Sequence, residues 1–178
     1  IDAFKVSEKD DYTVIDYHLM TSEAFPPVKS EIDAIRRECR GLIFDKQGRL
    51  IRRAYHKFHN MGEREETMDT NINWCVPYQV LEKLDGSMVT PFLNGDHIRW
   101  ATRAGITEVS MQAEVFVAEN LVYHVFADYC LKMGITPIFE WCSPYNRVVL
   151  DYPKEQLILT GLRGINTGEY FPLTMFRD

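Results

Sequence analysis

The pattern of apolar and polar residues is most regular in the middle of the chain, where it predicts three antiparallel strands. Three largely alternating runs, YQVLEKL, SMVTPFL and HIRWATR, are separated by Asp85-Gly86 and by Asn94-Gly95-Asp96. Asp-Gly and Asn-Gly pairs accept the backbone conformation of tight hairpin turns. The pattern therefore predicts a β-meander that begins at Tyr78.

A different period follows in residues 107–133, where apolar residues recur at a spacing close to that of an α-helix. Most of them fall on one face, which is typical of a helix packed on a core. Thr107 is suited to cap the start and Gly134 to end it. The sequence therefore predicts one long helix here.

The remaining apolar runs are short. TPIFEWCS, RVVLDY and QLILTGL are rich in apolar and β-branched residues and predict strands, and the turn-rich segment INTGEYF follows them. ECRGLIFD and Gly48 predict a further strand and turn, preceded by a short helix or loop in KSEIDAIRR. Strands outnumber helices, so we expect an α+β fold, mainly antiparallel, in a single domain over residues 1–178.

Composition narrows the class of protein. The chain has 178 residues, of which 46% are hydrophobic, enough for a full core. A net charge of −6 argues against binding of nucleic acid by bulk electrostatics, so any polyanion contact must be local. The basic stretch RLIRRAYHK, residues 49–57, is one candidate, and a solvated face explains it equally well.

The location of the protein is predicted from three absences in the sequence. No apolar run approaches the roughly 20 residues that span a bilayer, and the N-terminus lacks the layout of a signal peptide. The cysteines are irregularly spaced, without a metal-binding pattern, which fits reduced thiols. We expect a soluble, cytoplasmic protein.

Lys83 is the residue that suggests chemistry. It stands at the end of YQVLEKL, immediately before Asp85-Gly86. A solvent-facing lysine on a hairpin would explain it. A lysine on a rigid strand end, near other cations and partly desolvated, instead loses proton affinity and can attack a carbonyl or a phosphorus atom. Schiff-base chemistry typically uses a parallel α/β barrel, which this sequence does not predict, so phosphorus is the better target.

The residues around Lys83 carry a family resemblance. EKLDGS, residues 82–87, resembles the Lys-x-Asp-Gly motif of ATP-dependent DNA and RNA ligases and mRNA capping enzymes, in which the lysine takes a nucleoside monophosphate. Four flanking blocks resemble, in the same order, those of the bacteriophage tRNA-repair RNA ligases, the RNA ligase 1 family. The blocks are ECRGLIFD (38–45), YHKFHN (55–60), FEWCSPYNRVVLDY (139–152) and LRGINTGEYF (162–171).

The resemblance implies a nucleotidyltransferase fold, ATP and Mg²⁺ as cofactors, and a role for each matching residue. Lys83 would be the nucleophile, Arg40 and Lys57 would bind nucleotide and phosphate, and Glu140 would lie beside the ribose and the catalytic metal. Glu82 matches a glutamate that binds adenine in a related branch. Arg103 falls near a basic residue of the family, although its spacing to Gly105 is longer than in the family pattern.

Physical chemistry agrees with several of these roles. Attack on the α-phosphate of ATP builds negative charge on oxygen, which the planar fork of Arg40 and the point charge of Lys57 can stabilise. Glu140 lies in an apolar run and needs a partner, and an ion pair with Arg147 is the structural alternative to a metal. Regular strand alternation would turn Glu82 away from Lys83, which leaves a backbone contact to adenine equally open.

The other residues near the motif have simpler expected roles. Gly86 would allow a positive φ and close approach of the nucleotide, and Asp85 would bond its own turn. His56, His59 and His124 are interpreted as surface or packing residues, since no second ligand stands at metal-binding spacing.

The activity implied is that of an ATP-dependent RNA ligase that seals a 5'-phosphate to a 3'-hydroxyl, with broken tRNA as substrate. Two later family motifs, Glu-Gly and Lys-x-Lys, have no counterpart here, and the only late basic residue is Arg177. We therefore expect an adenylyltransferase domain truncated before those motifs. A DNA ligase or capping enzyme, a non-catalytic nucleotide- or RNA-binding fragment, and a Schiff-base enzyme remain as alternatives.

Overall fold

Two antiparallel sheets form the framework in a computed structural model, which describes residues 2–146 and 149–176. The first sheet has the order β1-β2-β3-β4, with β1 at Phe4–Glu8, β2 at Tyr12–Tyr17, β3 at Leu42–Asp45 and β4 at Leu50–Arg52. The second has the order β6-β5-β7-β8-β9, with β5 at Ser87–Asn94, β6 at His97–Ala101, β7 at Ile135–Cys142, β8 at Gln156–Gly164 and β9 at Tyr170–Phe171. Together with the helices, these sheets confirm the α+β class.

Within the described residues, three α-helices accompany the sheets: α1 at Glu31–Glu38, α2 at Glu108–Glu119 and α3 at Leu121–Lys132. The single long helix predicted for residues 107–133 is wrong, because the backbone leaves the helical conformation at Asn120, with φ −127° and ψ 71°. The side-chain amide of Asn120 donates to the Phe116 carbonyl at 2.8 Å, which satisfies an acceptor at the break. The predicted cap at Thr107 is confirmed, and so is the stop at Gly134, whose φ is 73°.

The second sheet lies between two apolar layers. On one face, α2 and α3 cover a cluster that includes Trp100, Phe139 and Trp141. On the other, Phe92 and Ala101 pack against Tyr12, Val14 and Ile43 of the first sheet. Burial of these large side chains supplies most of the driving force that holds the three layers together.

A buried arginine crosses between the two sheets. The Arg52 guanidinium is fully buried, and it donates to Thr90 Oγ1, to the Gly41 carbonyl at 2.5 Å and to the Ala101 carbonyl at 3.4 Å. Burial lowers the pKa of Arg52 to about 9. These bonds fix the first sheet, and Gly41 with it, against strand β5.

Two predicted strands are corrected. YQVLEKL forms no strand, since residues 77–85 have no regular structure, and Val80 is 87% exposed. Strand alternation needs a surface to bury one face and a neighbour to complete the ladder, and β5 already pairs with β6 and β7. RVVLDY also forms no strand in residues 149–152, while Arg147 and Val148 lie outside the described residues, as does Arg177.

Within the described residues, no helix combines the length and apolar character that crossing a bilayer requires. All four cysteines, Cys39, Cys75, Cys130 and Cys142, are free thiols.

Candidate active site

Lys83 lies in the irregular segment that leads into β5, four residues before the strand begins. Its side chain is exposed, whereas the nucleophile hypothesis expected a partly desolvated lysine on a strand end. The position of Lys83 is set by the residues that follow it, because the segment itself has no ladder hydrogen bonds.

Asp85 and Gly86 attach this segment to the rest of the fold. Asp85 Oδ2 accepts the backbone N–H groups of Leu150 at 2.6 Å and of Val149 at 2.5 Å. The Asp85 N–H donates to the Tyr152 hydroxyl at 3.0 Å. Asp85 therefore binds a segment about 65 residues away. The prediction that it would bond its own turn is wrong.

Position 86 requires glycine because there is no room for a side chain, and not because of its backbone conformation. Its φ is not positive, in contrast to the prediction. A Cβ atom at this position would lie 2.3 Å from the Trp141 carbonyl oxygen of β7, closer than any van der Waals contact. The close approach is to protein backbone, and it lets the Gly86 N–H donate to Glu140 Oε1 at 3.1 Å.

Glu140 projects from the centre of the second sheet, where β7 pairs it with Met88 of β5 and Ile158 of β8. Burial raises the pKa of Glu140, while the Gly86 hydrogen bond and the charges of Lys83 and Arg40 lower it. The structure thus gives this carboxylate a hydrogen-bond donor and two nearby cations. The alternative ion pair with Arg147 falls outside the described residues.

Arg40 follows α1 and precedes β3. Its guanidinium donates to the Tyr55 carbonyl at 3.4 Å, approaches Met88 Sδ at 3.5 Å and stacks 5.2 Å from the centre of the Phe58 ring. Since Met88 is the strand neighbour of Glu140, this places Arg40 beside the same part of β5 and β7.

Lys57 approaches the same aromatic ring. Its ammonium nitrogen lies 6.0 Å from the centre of Phe58, and its backbone N–H donates to the Arg37 carbonyl at 2.7 Å. Lys57 is only 6% exposed, and burial lowers the pKa of its ammonium group. Two cations thus meet at Phe58, and the charge of Arg40 acts on both Lys57 and Glu140.

The structure does not bring the last two predicted residues into direct contact with this group. Arg103 pairs with Asp16 at 3.2 Å and stacks 4.3 Å from the centre of the Tyr17 ring. It is linked to the group indirectly, because burial raises the pKa of Asp16 while the charges of Arg103 and Arg40 both lower it. Glu82 is exposed in the irregular segment, so strand alternation does not orient it.

Two supporting contacts were missed by the sequence interpretation. His56 packs against Tyr170, whose Oη lies 2.7 Å from His56 Nδ1 and also accepts the His56 backbone N–H at 3.2 Å. A separation of 114 positions along the chain hides that pair from sequence reasoning. His59 Nδ1 lies 3.2 Å from Glu63 Oε1, and their spacing of four residues is a signal that was available.

The donor set fits magnesium held together with a nucleotide. Across residues 2–146 and 149–176, no group of three or more His, Cys, Asp and Glu side chains could hold a metal alone. Mg²⁺ commonly uses one or two carboxylates plus substrate phosphates. Glu140 supplies one carboxylate, and the charge of Asp85 is close enough to raise the pKa of Glu140.

The structure thus brings a lysine, a carboxylate and two further cations together beside the middle strand of the second sheet, in an antiparallel α+β fold. The family model described as RNA ligase matches residues 38–175, which include all the candidate residues. The chain belongs to the RNA ligase family.

Two curated relatives agree. The chain is 32% identical over 169 residues to a protein of Thermovibrio ammonificans named "Putative RNA ligase", covering 94% of this chain and 43% of the relative. It is 29% identical over 142 residues to RNA ligase 1 of bacteriophage TS2126, covering 75% of this chain and 36% of the relative. The chain thus spans less than half the length of the relatives it matches.

Proposed function

We propose that this chain carries the nucleotide-transferring part of an ATP-dependent RNA ligase, with Lys83 as the covalent nucleophile. The observation that carries the proposal is that the Gly86–Glu140 hydrogen bond, at 3.1 Å, ties the Lys83 segment to a carboxylate whose strand neighbour Met88 contacts Arg40, within a chain of the RNA ligase family. An amine, a carboxylate and phosphate-binding cations are the groups that phosphoryl transfer to lysine needs.

The first step is attack of the neutral Lys83 amine on the α-phosphorus of ATP. A phosphorus–nitrogen bond forms, the bond from the α-phosphorus to the bridging oxygen breaks, and pyrophosphate leaves. The neutral amine gives up one proton to solvent in the course of the step, so one hydrogen stays on the nitrogen. Arg40 and Lys57 stabilise the negative charge that develops on the phosphate oxygens.

Glu140 would hold Mg²⁺ and meet the ribose, Glu82 or its backbone would contact adenine, and Arg103 would support the phosphate side of the site. Magnesium would screen charge and orient the phosphates. The exposure of Lys83 allows the nucleotide to reach it, and a bound nucleotide would remove water from it.

Two transfers complete the proposed reaction. An oxygen of an RNA 5'-phosphate attacks the adenylate phosphorus, the phosphorus–nitrogen bond breaks, and Lys83 regains a proton. The RNA 3'-hydroxyl then attacks the 5'-phosphorus, and AMP leaves as a new phosphodiester bond forms. Broken tRNA is the proposed substrate, by resemblance to the tRNA-repair ligases.

An intact-mass measurement tests the first step. The purified chain is incubated with ATP and Mg²⁺, and we expect a gain of one AMP that Lys83→Ala abolishes. Lys154→Ala, which removes another exposed lysine, should keep the adduct. An adduct that survives Lys83→Ala would refute the nucleophile assignment.

The same assay separates the alternatives. A GMP adduct from GTP would indicate capping chemistry, and transfer of AMP to nicked DNA but not to RNA would indicate a DNA ligase. Binding of ATP without any adduct would indicate a non-catalytic fragment. Borohydride trapping of a carbonyl compound on Lys83 would reveal Schiff-base chemistry. Joining assays with broken and intact anticodon loops test the proposed substrate.

A further inference from the structure

The Lys57 ammonium group donates to the Phe58 carbonyl, and one carboxylate and three guanidinium groups lie near enough to act on it. Burial lowers the pKa of Lys57, and the nearby guanidinium groups of Arg40, Arg64 and Arg37 lower it further. The carboxylate of Glu63 opposes them and raises it. A phosphate-binding lysine must remain charged, so the placement of Glu63 matters to any function of Lys57.

Glu63 is fixed through both of its oxygens. Oε2 accepts the backbone N–H of Asn60 at 2.8 Å, and Oε1 lies 3.2 Å from His59 Nδ1. The Asn60 and His59 bonds lower the pKa of Glu63 and keep it ionised. The carboxylate therefore cannot swing away from the turn that carries Lys57 without breaking two hydrogen bonds.

His59 bonds Glu63 and lies beside Lys57. Its side chain is wholly buried, and Nδ1 lies 3.5 Å from Lys57 Nζ. Nε2 is buried and has no hydrogen-bond partner within the described residues. Protonation would add a donor with no acceptor and place a second cation beside Lys57, so the network assigns a neutral ring with its proton on Nδ1.

We propose that His59 and Glu63 form a positioning pair that holds the Lys57 ammonium group where it meets a nucleotide phosphate. The inference rests on the proposed function, in which Lys57 binds the phosphates of ATP. His59 and Glu63 do not touch the reacting atoms and act through Lys57: His59 fills the space beside the ammonium group, and Glu63 balances its charge.

A double-mutant cycle tests this dependence. Dissociation constants for ATP and for inorganic pyrophosphate are measured by calorimetry with Mg²⁺ on the whole chain carrying Lys83→Ala, which cannot form the adduct. We expect His59→Leu and Glu63→Gln each to weaken binding about tenfold, comparable to the loss of one charge-assisted hydrogen bond. In a Lys57→Ala background, the same substitutions should have no further effect.

The controls separate positioning from general damage. His124→Leu, at an exposed position on α3, should leave both dissociation constants within about twofold. Where His59→Leu fails to fold, Glu63→Gln completes the cycle, because Glu63 is 30% exposed and glutamine keeps an acceptor for Asn60.

Several outcomes would overturn the positioning role. One is an equal loss of affinity with and without Lys57, and another is no loss in either single variant. A third is that the chain with Lys57, His59 and Glu63 intact binds neither ATP nor pyrophosphate. The result is distinguishable from that of the adduct assay. If ATP binds, the effects of the substitutions depend on Lys57 and no AMP adduct forms, the positioning role of His59 and Glu63 is supported and the proposed function is refuted. If an adduct forms but the effects of the substitutions do not depend on Lys57, the proposed function is supported and the positioning role is refuted.

Discussion

The backbone N–H of Gly86 donates to Glu140 Oε1 at 3.1 Å, and this bond ties the segment that carries Lys83 to the middle strand of the second sheet. A hydrogen bond to a partly buried carboxylate is charge-assisted and is stronger than one between neutral groups. Lys83, the candidate nucleophile, is thus positioned through Gly86, three residues further along the chain, while the segment around Lys83 has no regular structure.

Gly86→Ala should disrupt this junction. The added Cβ would lie 2.3 Å from the Trp141 carbonyl oxygen, so the segment must move and the bond to Glu140 must lengthen. We expect a loss of about 1–3 kcal/mol in the free energy of unfolding, and AMP adduct formation slowed by at least about tenfold. Denaturant unfolding and the rate of mass gain measure the two effects.

A glycine with room for a side chain, Gly95, provides the control. A Cβ at Gly95 meets nothing within 4 Å, and asparagine tolerates its φ of 61°. Gly95→Asn should therefore preserve both stability and adduct formation. A Gly86→Ala protein as active as the unaltered chain would show that the close contact with β7 does not position Lys83.

Glu140→Gln should separate stability from activity. Because burial raises the pKa of Glu140 above its ordinary value of 4.5, the folded state binds the proton more tightly than the unfolded state. Stability from this group is greatest below 4.5 and falls as the pH rises through the raised folded pKa. Glutamine has no charge to desolvate and keeps an acceptor for Gly86.

The thermal midpoints of the two proteins measure this effect. Relative to the unaltered chain, Glu140→Gln should be more stable at neutral pH than at a pH below 4.5. The adduct should form at least about tenfold more slowly, since the proposed metal ligand is lost. A difference in midpoint that grows as the pH falls would contradict the assigned direction of the pKa shift.

The strength of a local signal decided which parts of the fold the sequence could predict. Strands β3, β5, β6, β7 and β8 and the caps at Thr107 and Gly134 follow from periodicity and turn residues, and the structure has them. The segment of α1 was predicted as either a short helix or a loop, and it is a helix. YQVLEKL alternates equally well but has no partner strand, and pairing is decided by the whole sheet. β1 and β2 were not predicted at all.

The candidate site shows the same division. Lys83, Arg40, Lys57 and Glu140 could be found because each lies in a short block of recognisable residues. Their partners could not, because contacts such as Asp85 with Leu150 and Arg103 with Asp16 join residues far apart in the chain. Only the folded sheets bring those residues together.

Arg163→Ala should be strongly destabilising. The guanidinium is 3% exposed, pairs with Glu38 at 2.7 Å and donates to the carbonyls of Ala54 at 2.6 Å and Gly168 at 3.1 Å. Its removal leaves Glu38 Oε1 and the two carbonyls without this donor, and among the described residues only the longer ion pair of Glu38 with Arg53, at 3.8 Å, remains. We expect a loss of about 3–5 kcal/mol in the free energy of unfolding, measured by urea denaturation.

The matched control is an arginine in an exposed ion pair. Arg49 pairs with Asp45 at 2.7 Å, but its side chain is 75% exposed. Arg49→Ala should cost less than about 1 kcal/mol, because water and salt screen such a pair. Equal losses for the two variants would show that the buried network around Arg163 contributes no more than a surface contact.

Asp85→Ala tests whether the second half of the motif acts as an anchor. Asp85 accepts the N–H groups of Leu150 and Val149, and these bonds lower its pKa below the ordinary value of 3.8. The stability that the bonds contribute is fully present above 3.8 and is lost as the pH falls through the lower folded pKa. In Asp85→Ala, both amides lose their acceptor at every pH.

Hydrogen exchange at these two amides gives a direct measurement. Exchange of Leu150 and Val149 should accelerate about tenfold or more in Asp85→Ala at neutral pH, and much less in Asp85→Asn, which keeps an acceptor oxygen. The backbone amide of Asn120, which donates to the Val117 carbonyl at the end of a distant helix, should exchange at an unchanged rate. Uniform acceleration at all three amides would mean that Asp85→Ala weakens the whole fold, and that Asp85 is not a local anchor for the Lys83 segment.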